Sequence, residues 1–204
     1  EDLRAHGLRP SPDAPDAGPL TAPLVVVGHS MGGVTSLDVA ARRPDLVDAA
    51  IGEDPAFTTP AWNRLLRLNA YRQVREMRGI AADPEARYAL ETRDNPTWSR
   101  EEVRASVEAS SSVDLRFIAL GCVAPPTPWE RIVDELAVPT LIVTGTRRVV
   151  LRGSYFPAVT GRGNPNVAGA VVVGAPHCVR RTFPERFYSL TDPWLEEHLP
   201  RPRH

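Results

Sequence analysis

Ser30 stands in a five-residue segment, Gly28-His29-Ser30-Met31-Gly32, that follows the pattern Gly-x-Ser-x-Gly. The apolar run at residues 24–27 precedes it and is typical of a strand buried on both faces. Residues 31–43 follow it as a predicted helix that ends at Pro44. A serine on such a sharp strand-to-helix turn exposes its hydroxyl, so the segment predicts a nucleophilic serine.

Two backbone features of this turn would support the chemistry. Side chains at positions 28 and 32 would collide with the neighbouring strand and helix, so we expect glycine to be required at both. The amide of Met31, in the first turn of the helix, can donate to the negatively charged oxygen that forms during acyl transfer. The same pattern also occurs by chance or as a plain glycine-rich turn, whereas a phosphate loop is excluded because no Gly-Lys-Ser/Thr follows.

A serine nucleophile needs a base, and the chain has five histidines. His177 is the candidate because it lies in a loop, residues 174–177, between a predicted strand and the final helix. His29, beside the serine, is expected to point elsewhere and to serve as a structural hydrogen-bonding residue. The other three lie near the chain ends and are interpreted as structural or solvated: His6, His198 and His204.

Strand and helix signals alternate along the chain. Buried apolar strands are predicted at residues 24–27, 49–52, 139–144 and 170–173, and an amphipathic helix interrupted at Pro193 is predicted at residues 184–199. Residues 57–137 are predicted to be mostly helical, with helix-start signals at Thr59, Asp83, Ser99 and Thr127. This order predicts one α/β domain over residues 1–204, with a mainly parallel sheet, helices on both faces and a helical cap inserted at residues 57–126.

The segment Val-Val-Val-Gly-His-Ser-Met-Gly-Gly, residues 25–33, resembles the nucleophile elbow of the α/β-hydrolase superfamily, especially its small bacterial esterase and lactonase-like members. A second match lies near the C-terminus. There Gly174 and His177 resemble the family's Gly-x-Gly-His loop, although Pro176 replaces the second glycine. The resemblance implies that Ser30 is the nucleophile, that His177 is the base and that the Met31 amide binds the oxyanion.

The acid that orients the histidine is harder to place. In the family it usually follows the strand that corresponds to residues 140–144, but no Asp or Glu occurs here from Thr146 to Pro176. Some members carry the acid one strand earlier, where this chain has Glu53 and Asp54. We therefore expect Asp54 to be the acid. Glu53, a dyad without an acid, and a solvated turn at Asp54 are the alternatives.

The stretch before the elbow is shorter than the strands and helices that precede it in the family. The resemblance therefore implies an N-terminally truncated chain in which early strands of the sheet are missing, with His6 and Gly7 in the loop after one of them. In the family the second oxyanion donor comes from a loop after an early strand, so its source in this chain stays open, and half of the oxyanion hole would be absent if nothing supplies it. One edge of the sheet would also lie open and could pair with a second copy to form a homo-oligomer.

Composition limits the partners and cofactors. Acidic and basic residues nearly cancel, 25 against 24, so the net charge of -1 gives no reason to expect nucleic acid or an anionic membrane as a partner. Cys122 and Cys178 form neither a disulfide framework nor a Cys-x-x-Cys pair, and no metal or other cofactor is expected. With no apolar run of membrane-spanning length and no signal pattern, a cytoplasmic protein is the default expectation.

These features predict a serine hydrolase that cleaves a small carboxylic ester or lactone. Relatives of this fold that use an Asp nucleophile are disfavoured because serine occupies that position, while a carbon–carbon bond hydrolase and a cofactor-free perhydrolase stay open. Four apolar side chains of the cap are expected to shape the substrate pocket: Trp62, Leu65, Leu66 and Tyr71. The alternative is a non-catalytic relative, or a gene fragment, that binds a ligand or partner.

Overall fold

A computed structural model describes residues 23–199 of the chain. Within them four parallel strands form one sheet in the order β1-β2-β3-β4. The strands are β1 (Val25–His29), β2 (Ala49–Glu53), β3 (Thr140–Thr144) and β4 (Val167–Val171). Because all four run the same way, their carboxyl ends lie at one edge of the sheet, as the α/β prediction requires. Among the described residues β1 pairs only with β2, and pairing of its free edge with a second copy stays a prediction.

The helices of the described residues separate and follow these strands, and two of them, Tyr155–Thr160 and Val179–Thr182, are not predicted from the sequence. They are α1 (Met31–Arg42), α2 (Pro60–Leu68), α3 (Ala70–Ala82), α4 (Pro84–Asp94), α5 (Arg100–Ser112), α6 (Leu115–Ala119), α7 (Trp129–Glu135), α8 (Tyr155–Thr160), α9 (Val179–Thr182) and α10 (Pro184–His198). Helices α2–α6 lie together between β2 and α7, and we call them the helical insert. In the part of the chain that the structure describes, no helix is long and apolar enough to cross a membrane.

Two apolar clusters, one on each face of the sheet, hold the helices in place. Alternate residues of β3 divide between them: Ile142 packs with α1 and α7, whereas Leu141 and Val143 pack with Phe187 of α10. Full burial of one such aliphatic side chain contributes about 1.5–3 kcal/mol. Helices on both faces explain why β2 and β3 are unbroken apolar runs, and they confirm the predicted mainly parallel sheet with flanking helices.

Two predicted elements differ from the structure. The last strand begins at Val167, three residues before the predicted start, because its pairing is set by Thr140 at the start of β3. The prediction relied on two apolar residues that lie beyond the strand. Val172 is buried in the cluster that contains Phe187 of α10, and Val173 is exposed. Helix α10 also continues through Pro193. The carbonyl of Ser189, which loses its helical partner there, belongs to an exposed residue that water can reach.

The helix-start signals are confirmed at three positions and wrong at one. At three predicted N-caps the side-chain oxygen accepts a hydrogen bond from a backbone amide: Thr59 from Trp62 (3.3 Å), Asp83 from Ala86 (2.9 Å) and Ser99 from Glu102 (3.1 Å). The predicted cap at Thr127 is wrong, since α7 begins at Trp129 with Pro128 as its N-cap. The Thr127 hydroxyl is instead turned to the guanidinium of Arg42 on α1.

Candidate active site

Ser30 lies at the turn between β1 and α1 in a strained backbone conformation. Its φ of 53° and ψ of -116° are rare for any residue with a side chain. Three backbone hydrogen bonds hold it there: the Ser30 amide donates to the Glu53 carbonyl (2.9 Å), and the Ser30 carbonyl accepts from Val34 (3.1 Å) and Ala56 (2.9 Å). The turn is therefore fixed by both β2 and α1, as expected for a nucleophile elbow.

The glycine requirement at this turn is confirmed at one predicted position and wrong at the other. A Cβ on Gly28 would lie 2.3 Å from the Gly32 carbonyl oxygen, closer than atoms can approach. A Cβ on Gly32, by contrast, would meet no described atom within 4 Å. The second constrained position is Gly33, where a Cβ would lie 3.1 Å from both the Gly28 oxygen and Pro55. Close packing of α1 against the loop after β2 thus constrains Gly33, which the motif does not include.

Asp54 follows β2 directly and is fully buried. Its carboxylate accepts hydrogen bonds from the Thr144 hydroxyl (2.8 Å), the Val150 amide (2.8 Å) and the Leu151 amide (3.0 Å). A further hydrogen bond joins it to Nδ1 of His177. Burial alone would raise the pKa of this carboxyl, but the hydrogen bonds from His177, the two amides and Thr144 outweigh it and hold the pKa below its ordinary 3.8. Asp54 therefore carries a negative charge at neutral pH.

The loop after β3, where the family usually has its acid, supplies backbone donors instead. Val150 and Leu151 lie beyond Arg148, whose positive φ of 52° bends the loop back toward Asp54. The start of the loop is tied to the histidine's loop, because the amides of Thr146 and Arg147 both donate to the Ala175 carbonyl (2.9 and 3.0 Å). Sequence reasoning missed these donors because backbone amides leave no residue signature. The hydroxyl residue ending β3, Thr144, was the available hint.

His177 lies in the loop after β4 and is oriented by Asp54. Since the carboxylate can only accept, Nδ1 carries the proton of their hydrogen bond, which leaves Nε2 with a free lone pair that can act as a base. The side chain is 31% exposed, so a substrate could reach it. Among the described residues no hydrogen bond joins the Ser30 hydroxyl to this ring. Such a contact often forms only when substrate binds.

Glu53, the alternative acid, is oriented away from His177. It is buried, and its carboxylate accepts from the Arg180 amide (2.8 Å) at the start of α9. Burial raises the pKa of Glu53 above its ordinary value, and the hydrogen bond from Arg180 opposes that rise only in part. This carboxylate holds α9, the short helix that directly follows His177 and Cys178, in position. The geometry therefore favours Asp54 over Glu53 as the partner of His177.

His29 is a structural neighbour of the base. Its Nε2 donates to the backbone carbonyl of His177 (3.1 Å), and the centres of the two rings are 4.4 Å apart. Burial, with a smaller contribution from the charge of His177, lowers the pKa of His29 from 6.5 to about 4. The ring is therefore neutral at pH 7. His198 is exposed and its Nδ1 donates to the Trp194 carbonyl, whereas His6, His204 and the predicted loop at Gly7 lie outside the described residues.

The lowered pKa of His29 predicts a specific acid sensitivity. Between pH 6.5 and about 4 the unfolded chain binds a proton at this residue and the folded chain does not, so stability falls as the pH drops through that range. Glutamine can keep the donor to the His177 carbonyl without titrating. We expect wild type to lose roughly 1–2 kcal/mol more than His29→Gln when the pH is lowered from about 7.5 to about 5. Urea unfolding at both values measures the difference.

The control for this experiment is His198→Gln, which removes an exposed histidine that also donates to a backbone carbonyl. This variant should keep the full acid sensitivity of wild type. Equal losses in wild type and His29→Gln would show that the ring at position 29 can take up a proton in the folded state.

The Met31 amide belongs to the first residue of α1, immediately after the elbow. Amides in the first turn of a helix have no acceptor within the helix, and they lie at its electropositive end. A substrate oxygen placed over this helix start would receive a hydrogen bond from Met31. The structure therefore places the predicted oxyanion donor next to Ser30.

A cavity of about 470 Å³ lies between the helical insert and the core. Val34 and Ala56, the two residues whose amides bind the Ser30 carbonyl, line its inner wall, and Phe57 and Trp129 line it further out. The four cap side chains expected to shape the pocket do not line this cavity: Trp62, Leu65, Leu66 and Tyr71. Neither Ser30 nor His177 lines this cavity, so the expectation about the substrate pocket stays a prediction. Three of the four side chains are exposed, and Leu66 is half-buried.

Two cysteines lie near the candidate site and the cavity. Cys122, at the edge of the cavity, and Cys178, next to the base, are both free thiols. The Cys178 sulfur lies 3.7 Å from Nε2 of His29, and burial raises the pKa of its thiol to about 11. It is therefore a protonated thiol at neutral pH. Within residues 23–199 no group of three or more His, Cys, Asp or Glu side chains is placed to hold a metal ion.

Comparison with known proteins places this geometry in a family. A family model described as the alpha/beta hydrolase fold matches residues 20–148, which is more than half of the chain. The chain is 30% identical to 2-(acetamidomethylene)succinate hydrolase of Mesorhizobium japonicum over 213 residues, which cover 90% of this chain and 73% of that protein.

Two solved structures have the same fold. A thermophilic esterase from Thermogutta terrifontis, with malate bound, superposes with a TM-score of 0.66 at 24% identity, over 89% of this chain and 67% of that one. A crystal structure of E-2-(acetamidomethylene)succinate hydrolase superposes with a TM-score of 0.64 at 19% identity, over 87% of this chain and 68% of that one. With a matching family model, a relative at this level of identity, a parallel sheet and a strained serine turn, the chain belongs to the α/β-hydrolase family.

Proposed function

We propose that this hydrolase cleaves a small carboxylic ester or lactone through a covalent serine intermediate. The observation that supports it best is the hydrogen bond between buried Asp54 and His177, at the edge of the sheet where the strained Ser30 also lies. Ionised Asp54 keeps the proton of His177 on Nδ1, so that Nε2 faces the reaction as a base. These are the arrangements that serine acyl transfer needs.

In the proposed reaction, Ser30 Oγ attacks the substrate carbonyl carbon and His177 Nε2 takes the serine proton. The charge that develops on the carbonyl oxygen is stabilised by the Met31 amide. His177 then returns the proton to the departing alcohol oxygen as its bond to the carbonyl carbon breaks. Water, activated by the same histidine, cleaves the acyl–Ser30 bond and restores the enzyme.

The cavity adjoins the elbow through Val34 and Ala56, whose amides hold the Ser30 carbonyl, although Ser30, Met31 and His177 do not line it. At about 470 Å³ it has the size of a pocket for a small ligand, and its wall combines apolar side chains with Asn63 and Arg67 of α2. The relative from Mesorhizobium japonicum is named for hydrolysis of 2-(acetamidomethylene)succinate, so that compound belongs in the substrate panel. Simple acetate esters and small lactones complete the panel.

A fluorophosphonate probe tests the serine mechanism directly, because it reacts with a serine whose hydroxyl is activated by a base. We expect the folded protein to be labelled at one site and Ser30→Ala to remain unlabelled. Ser154→Ala, which removes an exposed serine at the start of α8, should be labelled like wild type. Intact-protein mass spectrometry gives the extent of labelling.

A non-catalytic relative is the rival hypothesis, and the same experiment separates the two. Folded wild type that takes up no probe and hydrolyses no ester in the panel would reject the serine hydrolase. Labelling that persists in Ser30→Ala would assign the reactive group to another residue and would equally reject Ser30 as the nucleophile. Circular dichroism of each sample shows whether the fold is intact.

A further inference from the structure

Helix α2 packs on the protein with its apolar side turned outward. At about 100° per residue, Trp62, Leu65 and Leu68 fall within roughly a third of the helix circumference. Their exposed fractions are 43%, 57% and 75%, and α2 contains no buried residue. Tyr71, at the start of α3, extends this surface with an exposed fraction of 76%. We call these four side chains the outer apolar surface.

The opposite side of α2 makes its contacts with the rest of the chain. Asn63 accepts a hydrogen bond from the Thr58 hydroxyl (2.7 Å), and both Asn63 and Arg67 line the cavity. The backbone of Arg67 lies so close to Gly121 that a Cβ there would approach its Cα to 2.6 Å. Asn63 and the backbone at Arg67 thus fix this side of the helix against the rest of the chain. An amphipathic helix in this orientation leaves its apolar side available to an external partner.

The segment that carries the outer apolar surface is strongly positive. Residues 60–82 contain five arginines and one acidic residue, although the whole chain has a net charge of -1. All five are exposed: Arg64, Arg67, Arg72, Arg75 and Arg78. The acidic residue, Glu76, is paired with Arg87 of α4 (3.7 Å). A shallow depression between the arginines, of about 560 Å³, is lined by Tyr71, Arg72 and Arg75 together with Asn69, Gln73 and Glu76.

We propose that α2 and the first turns of α3 form a docking surface for an anionic lipid membrane. An apolar helix side with Trp and Leu, bordered by arginines, is the pattern of helices that lie in the membrane interface. The arginines would meet acidic headgroups, and the depression beside Tyr71 could receive one of them. A second copy of the chain fits less well, because it would bring two arginine-rich borders together without acidic partners.

This proposal changes one expectation from composition. A net charge near zero gave no reason to expect an anionic membrane, but that sum hides the positive segment at residues 60–82 behind acidic residues elsewhere. The surface is also next to the cavity, because Asn63 and Arg67 of the same helix line it. Docking would bring the cavity close to the lipid surface. The proposal does not depend on catalysis, since a membrane could bind whether or not Ser30 reacts.

Sedimentation with lipid vesicles tests the proposal on the full chain. Wild type should sediment with vesicles of phosphatidylcholine mixed with phosphatidylglycerol and stay in solution with phosphatidylcholine alone. The double variants Leu65→Glu/Leu68→Glu and Arg72→Glu/Arg75→Glu should each bind the mixed vesicles about tenfold more weakly or less. Raised salt should weaken wild-type binding.

Matched controls alter the same residue types elsewhere. Leu90→Glu changes a leucine of α4 that is 41% exposed, and Arg152→Glu changes an exposed loop arginine, so both should bind like wild type. The absence of wild-type binding to mixed vesicles would overturn the proposal. So would a dimer that Leu65→Glu/Leu68→Glu disperses, which would assign the surface to a second copy. Binding lost in the arginine variant but unchanged in the leucine variant would indicate purely electrostatic adsorption to the acidic headgroups and would reject docking through the apolar surface.

Discussion

Replacing Asp54 by asparagine is expected to lower kcat for ester cleavage by about 10³- to 10⁴-fold. The carboxylate accepts from four donors, one of which is Nδ1 of His177. An asparagine side chain has one acceptor oxygen and a donating amide. If that amide faces His177, the ring proton moves to Nε2, which can then no longer accept the proton of Ser30. The loss should appear in kcat at saturating substrate, with a smaller change in KM.

The same substitution should also destabilise the fold. Thr144, Val150 and Leu151 donate to Asp54 in a fully buried site, and one or two of these donors would lose their acceptor. Each buried donor left without a partner costs about 1–3 kcal/mol. Urea unfolding measures this loss separately from activity, so kcat should be compared at temperatures where the variant remains folded.

The pH dependence of this contribution has a definite sign. Because the pKa of Asp54 is held below 3.8 in the folded chain, its stabilisation is present above that pH and is lost as the pH falls through the lowered value. Asp54→Asn should therefore lose less stability than wild type on acidification below about pH 4. His29 and Glu53 titrate in both proteins, so the difference between the two proteins reports the Asp54–His177 pair.

Asp134→Asn is the control for the activity measurement. Asp134 is an exposed aspartate paired with Arg162, far in sequence from the candidate site, and its replacement should leave kcat unchanged. If Asp54→Asn kept the wild-type kcat and still took up the fluorophosphonate probe at Ser30, Asp54 would be removed from the mechanism. The serine and histidine would then act as a pair without an acid.

The sheet could be predicted where local pattern and burial agree. Residues in β2 and β3 are apolar at successive positions because helices cover both faces, and short runs of this kind are typical of the inner strands of a parallel sheet. The last strand was misplaced because Val172 is apolar for a different reason: it packs in the loop that leads to His177. An apolar residue indicates burial and does not by itself indicate a strand. The start of β4 is defined by its pairing with Thr140–Thr144.

The candidate site could be predicted at the residues that carry reactive groups, and less well at their supports. Ser30 and His177 are marked by their turn and loop, and Asp54 by the resemblance to family members that carry the acid one strand earlier. Their surroundings depend on backbone geometry, such as the amides of Val150 and Leu151. The outward direction of the exposed apolar side chains of α2 could not be predicted for a related reason. Amphipathic spacing identifies the apolar side of a helix, but it does not determine whether that side is buried.

Gly28→Ala should destabilise the fold strongly and Gly32→Ala should not, although each adds one methyl group to the same turn. At Gly28 the new Cβ would lie 2.3 Å from the Gly32 carbonyl oxygen and 2.7 Å from the Ser36 hydroxyl oxygen. Backbone must move to relieve the first contact, and the backbone here is held by the hydrogen bonds of Ser30. We expect Gly28→Ala to cost about 3 kcal/mol or more, or to prevent folding.

At Gly32 the added Cβ meets no described atom within 4 Å, and the residue lies in the first turn of α1. Alanine there should leave stability unchanged or raise it by about 0.4–1 kcal/mol, because it restricts the unfolded chain and favours helix. Urea midpoints of the two variants give the comparison, and probe labelling of Gly32→Ala should match wild type. A loss at Gly32 as large as that at Gly28 would show that the start of α1 packs against atoms beyond those seen around it. Gly32 would then be sterically constrained, and the conclusion that Gly33 takes its place as the second constrained glycine would be rejected.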